Sequence, residues 1–133
     1  MFNNKTLLIT GGTGSFGNAV LERFLRSDVA EIRIFSRDEK KQDEMRYKYA
    51  DERIYYVIAD IRDREKMRHI FTDINLVFHA AAFKHVPIVE LNPWEGVFNN
   101  IIGTKNIVEA SHQSGVERFV LISTDKAVRP VSV

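Results

Sequence analysis

The chain has 133 residues, 44% of them hydrophobic and 28% charged, a composition that favours one globular domain with a substantial core. Its 19 basic and 18 acidic residues give a formal net charge of +1, which gives no indication of a nucleic-acid-binding surface. The lack of cysteine excludes disulfides and thiolate metal sites. The sequence opens without a secretory signal pattern, and no apolar run approaches the roughly 18 residues of a membrane span. We therefore expect a cytoplasmic domain that binds neither nucleic acid nor membrane.

Short apolar segments alternate with amphipathic segments along the chain. The apolar segments predict strands at residues 6–10, 32–36, 54–59, 76–80 and 119–122. Helical spacing predicts helices at residues 15–26, 38–49, 63–71 and 94–114, with Asp38 as an N-cap and Gly115 just beyond the last helix. Together they predict an α/β fold, a doubly wound parallel sheet of the Rossmann type with strand order 3-2-1-4-5.

A glycine-rich loop joins the first predicted strand to the first helix. Gly11, Gly14 and Gly17 have the spacing GxxGxxG. They would allow a tight turn, a close approach of backbone to a pyrophosphate, and close packing of the helix on the sheet. A helix N-terminus at this point would face the phosphates. We therefore assign to a dinucleotide site the loop residues Gly11, Thr13, Gly14, Ser15, Phe16 and Gly17.

The end of the second predicted strand bears on the choice between NADP and NAD. Arg37 lies 20 positions after Gly17, where an arginine accommodates a 2′-phosphate, and Ser36 could donate a hydrogen bond to that phosphate. Lys41, beside Lys40, adds positive charge. These residues favour NADP, although Asp38 offers a carboxylate to the ribose hydroxyls and keeps NAD possible. Alternatively, the basic residues form a solvated helix start that Asp38 caps.

Asp60 and Ile61 follow the third predicted strand. The carboxylate of Asp60 could accept a hydrogen bond from the adenine amino group, with Ile61 against the ring. An equally good interpretation from sequence is that Asp60 or Asp63 caps the next helix.

Several short motifs together resemble a known superfamily. They are TGGTGSFG (10–17), DIRD (60–63), HAAA (79–82), NIIGTKN (100–106) and STDKA (123–127), and they resemble the extended short-chain dehydrogenase/reductases. FSRDEKK (35–41), KHVP (84–87) and STDKA are similar to the bacterial polysaccharide-biosynthesis group. Typical members of that group are UDP-N-acetylglucosamine 4,6-dehydratases, some of which invert carbon 5. The resemblance covers nearly the whole chain but only the first part of such an enzyme.

The resemblance implies roles for residues after the fourth and fifth strands. Ala80, Ala81 and Ala82 would line the cofactor, whereas His79 is more simply explained as a core histidine with satisfied hydrogen bonds. Lys84 would begin the substrate-facing loop beside the cofactor, and Asn100 would hold the helix backbone near the active site. In the dehydratase reaction, the catalytic residues would be Thr124, Asp125 and Lys126. Thr124 would hydrogen-bond the sugar, Asp125 would protonate the departing hydroxyl, and Lys126 would act as the base or within the proton relay.

The expected Tyr-x-x-x-Lys pair does not occur, because none of the four tyrosines is followed four residues later by lysine. We therefore expect residues 1–133 to be an incomplete NAD(P)-binding domain, truncated after strand five and without its substrate domain, and inactive alone. The full enzyme would take a UDP-sugar and form a homo-oligomer. Alternatives are a non-catalytic NAD(P)-binding or regulatory module, a domain that has lost its ligand, and part of an NAD-dependent sugar-nucleotide 4-epimerase. The four histidines show no ligand spacing, so no metal is expected.

Overall fold

Five parallel strands form the sheet in this computed structural model, which describes residues 1–123. The strands are β1 Thr6–Thr10, β2 Glu31–Ser36, β3 Ile54–Ile58, β4 Leu76–His79 and β5 Arg118–Leu121. Their order is β3-β2-β1-β4-β5, and each neighbouring pair is parallel. The structure thus confirms the Rossmann-type doubly wound fold and the expected strand order.

Helices cover both faces of the sheet. They are α1 Ser15–Leu25, α2 Glu39–Tyr49, α3 Arg64–Ile70, α4 Val86–Leu91, α5 Pro93–Gly96, a π-helical segment Val97–Gly103, and α6 Thr104–Gln113. Successive residues of a strand point to opposite faces, so Leu7 and Ile9 pack with α1 and α2, whereas Leu8 packs with α3 and α6. The central strands β1, β2 and β4 are mostly buried because both faces are covered there, whereas β5 at the edge of the sheet is largely exposed.

The helix predicted at residues 94–114 is not one regular helix. The structure divides this stretch into α5, the π-helical segment and α6, and it adds α4, which was not predicted. The π-helical turns change the phase of the helix surface, so the apolar spacing of a single regular helix does not continue through this stretch. Ile107 and Ala110 are buried, whereas Ile101 and Val108 are exposed. Gly115 has a φ of 68° just beyond α6, as expected for a residue that ends a helix.

The carboxyl ends of the strands meet at one edge of the sheet. Thr10 at the end of β1 is level with Phe35 in β2 and with His79 at the end of β4. β1 lies at the point where the chain turns from one half of the sheet to the other, and ligands of doubly wound sheets bind at such a point. Within residues 1–123, no helix is long and apolar enough to cross a membrane.

Candidate functional site

The glycine loop packs directly on the segment that follows β4. Gly11 has a φ of 66°, and a Cβ atom there would lie 2.7 Å from the carbonyl oxygen of Ala80 and 2.9 Å from the nitrogen of Ala81. Both the left-handed backbone and the close approach therefore require glycine. The backbone nitrogen of Ala80 also donates to the carbonyl oxygen of Thr10 at 3.1 Å. The contact fixes the loop after β1 against Ala80 and Ala81.

Gly12 and Gly17 make the turn from loop to helix compact. A Cβ atom on Gly17 would lie 2.5 Å from the Cα atom of Gly12, so Gly17 lets the first turn of α1 pack closely against the loop. Further along the helix, Val20 and Leu21 pack on the sheet. A Cβ atom on Gly12 would lie 2.8 Å from Cγ2 of Ile34. The GxxGxxG spacing does not include Gly12, although its position directly after Gly11 at the end of a strand indicated a tight turn.

The N-terminus of α1 differs from those of α2 and α3. Asp38 and Asp63 cap α2 and α3 by accepting hydrogen bonds from the backbone nitrogens of Lys41 and Lys66, both at 3.0 Å. The N-cap of α1 is Gly14, which has no side chain to form a capping hydrogen bond. The first turn of α1 also has no acidic residue. A phosphate would complement the positive end of α1, so this loop fits the pyrophosphate of a dinucleotide. Ser15 and Phe16 are exposed beside it.

The end of β2 is tied to the glycine loop through hydroxyl groups. The side chains of Thr13 and Ser36 share a hydrogen bond of 2.8 Å, and the backbone nitrogen of Asp38 donates to Oγ of Ser36 at 3.0 Å. Ser36 is buried, and its hydroxyl bonds within the loop. This differs from the expectation from sequence that the hydroxyl faces a ligand phosphate. The hydrogen bond from the backbone nitrogen of Lys41 lowers the pKa of the Asp38 carboxyl, which also pairs with the Lys41 amine at 3.6 Å.

Arg37 extends from the end of β2 over the mouth of this site. Its side chain is 47% exposed, its Nη1 lies 3.6 Å from Oδ2 of Asp60, and its guanidinium lies 5.1 Å from the centre of the Phe83 ring. The arginine therefore bridges the segments that follow β2, β3 and β4. Sequence reasoning did not single out Phe83, whose contact with Arg37 depends on the fold.

Asp60 lies in a network of charged side chains. Burial would raise the pKa of its carboxyl, but the hydrogen bonds and charge of Arg62, with the charge of Arg37, outweigh burial and lower the pKa. The carboxylate therefore stays ionised and can act as a hydrogen-bond acceptor. Ile61 is only 3% exposed, and its side chain packs under Gly103. This differs from the expectation from sequence that the side chain lies against an adenine ring.

His79 joins three elements below the site. Its Nδ1 lies 2.6 Å from Oγ1 of Thr10, and its Nε2 lies 3.0 Å from Oγ1 of Thr104. Burial lowers the pKa of this imidazole to about 4, so the ring is neutral at pH 7. Both ring nitrogens have partners, which supports the interpretation of His79 as a core histidine rather than a ligand-binding group.

Asn100 holds the backbone of the segment that follows β4. Its Oδ1 accepts from the nitrogen of Phe83 at 2.8 Å, and its Nδ2 donates to the oxygen of Phe83 at 3.0 Å. A cavity of about 420 Å³ is lined in part by Ala82 and Lys84 of this segment and by Glu95. Ala82 and Lys84 are both exposed. The predicted catalytic residues Thr124, Asp125 and Lys126 lie outside the described residues.

Fold and loop geometry together define a nucleotide-binding domain of the Rossmann type. The family described as polysaccharide biosynthesis protein matches residues 7–133, and the chain belongs to this family of extended short-chain dehydrogenase/reductases. It is 48% identical over 136 residues to a UDP-glucose 4-epimerase of Rickettsia rickettsii, a match that covers 99% of this chain and 40% of the relative. The chain thus spans well under half the length of the curated relatives it matches.

Two solved structures show the same architecture. Pen from Bacillus thuringiensis is 37% identical, with a TM-score of 0.96, over 99% of this chain and 41% of Pen. The UDP-glucose 4-epimerase of Thermus thermophilus, solved as a complex with NAD, is 27% identical, with a TM-score of 0.78, over 90% of this chain and 37% of the epimerase.

Proposed function

We propose that this chain binds a nicotinamide dinucleotide across the carboxyl edge of its sheet, with the pyrophosphate at the N-terminus of α1. The observation that carries the proposal is the glycine N-cap of α1 at the switch point of the sheet. The helices that follow β2 and β3 both have an aspartate in the corresponding position. A bound dinucleotide would supply a hydride acceptor. The loop backbone around Thr13, Gly14 and Ser15 would hold its phosphates, Gly11 and Gly17 would shape that loop, and Ala80 to Ala82 would lie beside the dinucleotide.

We propose further that NADP binds more tightly than NAD. Arg37 has a half-exposed guanidinium at the end of β2, next to the expected position of the adenosine ribose. Asp38 is engaged by the Lys41 backbone and amine, which leaves its carboxylate less able to accept hydrogen bonds from ribose hydroxyls. Lys41 adds a second positive charge for a 2′-phosphate.

Calorimetric titration with NADP and NAD, repeated on Arg37→Gln, tests both proposals. The substitution should weaken NADP binding by about tenfold or more, the value of a charge-assisted hydrogen bond, and leave NAD binding nearly unchanged. Arg46→Gln is a matched control, because Arg46 also lies 5.1 Å from an aromatic ring and pairs with an aspartate, but on the outer surface of α2. Binding of neither dinucleotide would refute the site. A preference for NAD in the unaltered chain would refute only the choice of NADP.

The whole protein that contains this region is proposed to act on a UDP-sugar. The names of its relatives favour a 4-epimerase, whereas the STDKA motif at residues 123–127 favours a 4,6-dehydratase, because dehydration needs an acid and a base at carbons 5 and 6. Because Tyr-x-x-x-Lys does not occur, we expect the 133-residue chain to bind cofactor without converting UDP-glucose or UDP-N-acetylglucosamine. NMR of the incubated nucleotides tests this expectation. An epimerised sugar would identify the epimerase, a 4-keto-6-deoxy sugar would identify the dehydratase, and either product would refute inactivity.

We also propose that the protein forms a homo-oligomer through the helices after β4. Large apolar side chains are exposed along α4, α5, the π-helical segment and α6, namely Ile88, Leu91, Trp94, Phe98, Ile101 and Val108. Exposed apolar side chains grouped on consecutive helices favour a protein interface. Sedimentation velocity of the unaltered chain and of Ile101→Glu tests it. The unaltered chain should sediment as an oligomer and the variant as a monomer, and a monomeric unaltered chain would refute the proposal.

A further inference from the structure

The carboxylate of Asp60 is held from one side by a single arginine. Nε of Arg62 lies 3.1 Å from Oδ1 and 3.0 Å from Oδ2, and Nη2 lies 2.7 Å from Oδ2. The backbone nitrogen of Arg62 also donates to Oδ1 at 2.9 Å. These three donor groups fill about three of the four acceptor positions of a carboxylate. One acceptor position therefore remains for a ligand.

Arg62 is itself fixed by residues from the helices after β4. Its Nη1 donates to Oε2 of Glu95 in α5 at 2.7 Å. Nδ2 of Asn106 in α6 donates to the carbonyl oxygens of Ile61 and Arg62, at 3.0 and 3.3 Å. The side chain of Ile61 also packs so tightly under Gly103 that a Cβ atom on Gly103 would lie 2.5 Å from it. The backbone and the guanidinium of this segment are thus both anchored.

The ordinary interpretation of the Arg62–Glu95 pair is a surface contact, because a solvent-exposed ion pair contributes little to stability. Two observations favour a more specific role. Both side chains of the Arg62–Asp60 pair are at least two-thirds covered. In addition, Arg37 approaches the same carboxylate at 3.6 Å, beyond hydrogen-bonding distance, from the direction of Phe83. Arg62 therefore orients the carboxylate, and the acceptor position that its donors leave open is available to a ligand.

We propose that Arg62, braced by Glu95, is a positioning residue that aims the Asp60 carboxylate at the amino group of adenine, and that the pair sets the selectivity of the site for adenine over hypoxanthine. This inference rests on the proposed function, because it presumes that a dinucleotide binds. Hypoxanthine carries a carbonyl oxygen where adenine carries the amino group, so it offers Asp60 an acceptor instead of a donor. A correctly aimed carboxylate therefore favours the adenine form.

The test is the ratio of two affinities measured by calorimetry. The chain is titrated with the preferred dinucleotide and with its hypoxanthine counterpart, and the unaltered protein should favour the adenine form by about tenfold or more, since the contact involves a charged acceptor. Arg62→Gln should weaken binding of the adenine form by a similar factor and leave the hypoxanthine form nearly unchanged, so that the ratio approaches one. Glu95→Gln should reduce the ratio by a smaller factor.

Arg64→Gln is the control, because Arg64 lies two residues away and pairs with Glu109 at 3.3 Å without contacting Asp60. It should keep the ratio of the unaltered chain. A ratio unchanged in both Arg62→Gln and Glu95→Gln would overturn the inference, as would an equal loss of both ligands, which indicates a merely structural role. If Arg62→Gln fails to fold, Glu95→Gln alone decides. If the unaltered chain binds both forms equally well, the inference about Arg62 is refuted but the proposal of dinucleotide binding stands. If the chain binds neither form, both proposals are refuted.

Discussion

His79 should make the stability of this protein depend on pH between 7 and 5. The ring is 2% exposed, and burial lowers its pKa from 6.5 to about 4, so the folded protein keeps it neutral where an unfolded chain takes up a proton. The contribution of the neutral His79 ring to stability is therefore present above pH 6.5 and is lost as the pH falls towards 4. The difference in pKa corresponds to about 3 kcal/mol in the free energy of unfolding, of which about 2 kcal/mol is lost between pH 7 and 5.

Urea unfolding at pH 7, 6 and 5 measures this loss in the unaltered chain and in His79→Gln. Glutamine does not titrate, so the variant should lose much less stability over the same range, whatever its stability at pH 7. The pKa values of carboxylates such as Asp51 and Asp60 are lowered, so their contribution to stability is lost only as the pH falls below their ordinary pKa of 3.8. They therefore do not account for a loss of stability between pH 7 and 5. His112→Gln, at an exposed position in α6, is the control and should behave as the unaltered chain. An equal loss in His79→Gln and the unaltered chain would refute the reasoning.

Two further substitutions test the geometry of the site. Gly17→Ala places a methyl group 2.5 to 2.6 Å from backbone atoms of Gly11 and Gly12, so it should lower the free energy of unfolding by about 1–3 kcal/mol and abolish dinucleotide binding. Urea unfolding and calorimetry check this, and unchanged binding would contradict the packing described for the loop. Asn100→Ala removes both hydrogen bonds to the Phe83 backbone and should cost about 1–3 kcal/mol, with faster amide exchange at Phe83. Asn100→Asp keeps the acceptor, so slow exchange of that amide should survive, and equal exchange rates in the two variants would contradict the assignment.

The sheet and its glycine loop were predictable because their signals are local. Each strand is a short apolar run between turn residues, and the alternation of strands with helices restricts the order in which parallel strands pair. Asp38 illustrates the same point on a smaller scale, since an aspartate directly before a helical segment is a cap wherever the fold places it. The left-handed backbone of Gly11 follows from its position at the end of a strand.

The parts that sequence did not predict depend on residues far apart in the chain or on small changes in helical phase. Arg62 and Glu95 are 33 positions apart, and their pairing depends on how α5 lies over the segment after β3. The π-helical segment interrupts the apolar spacing, and its Asn100 bonds to the backbone of Phe83, 17 positions earlier in the chain. Ser36 was expected to face a phosphate, but a hydroxyl at the end of a strand can equally turn inward, and here it bonds to Thr13.

The contact between Gly11 and Ala80 has a consequence for engineering domains of this type. The two segments lie far apart in the sequence, yet the backbone of one fills the space that a side chain on the other would need. A glycine loop transplanted from another protein would therefore arrive without the surface against which it is shaped. Transferring such a loop between proteins of this type therefore calls for exchanging residues 10–17 and 79–83 as one unit, with β1 and β4 keeping their mutual alignment.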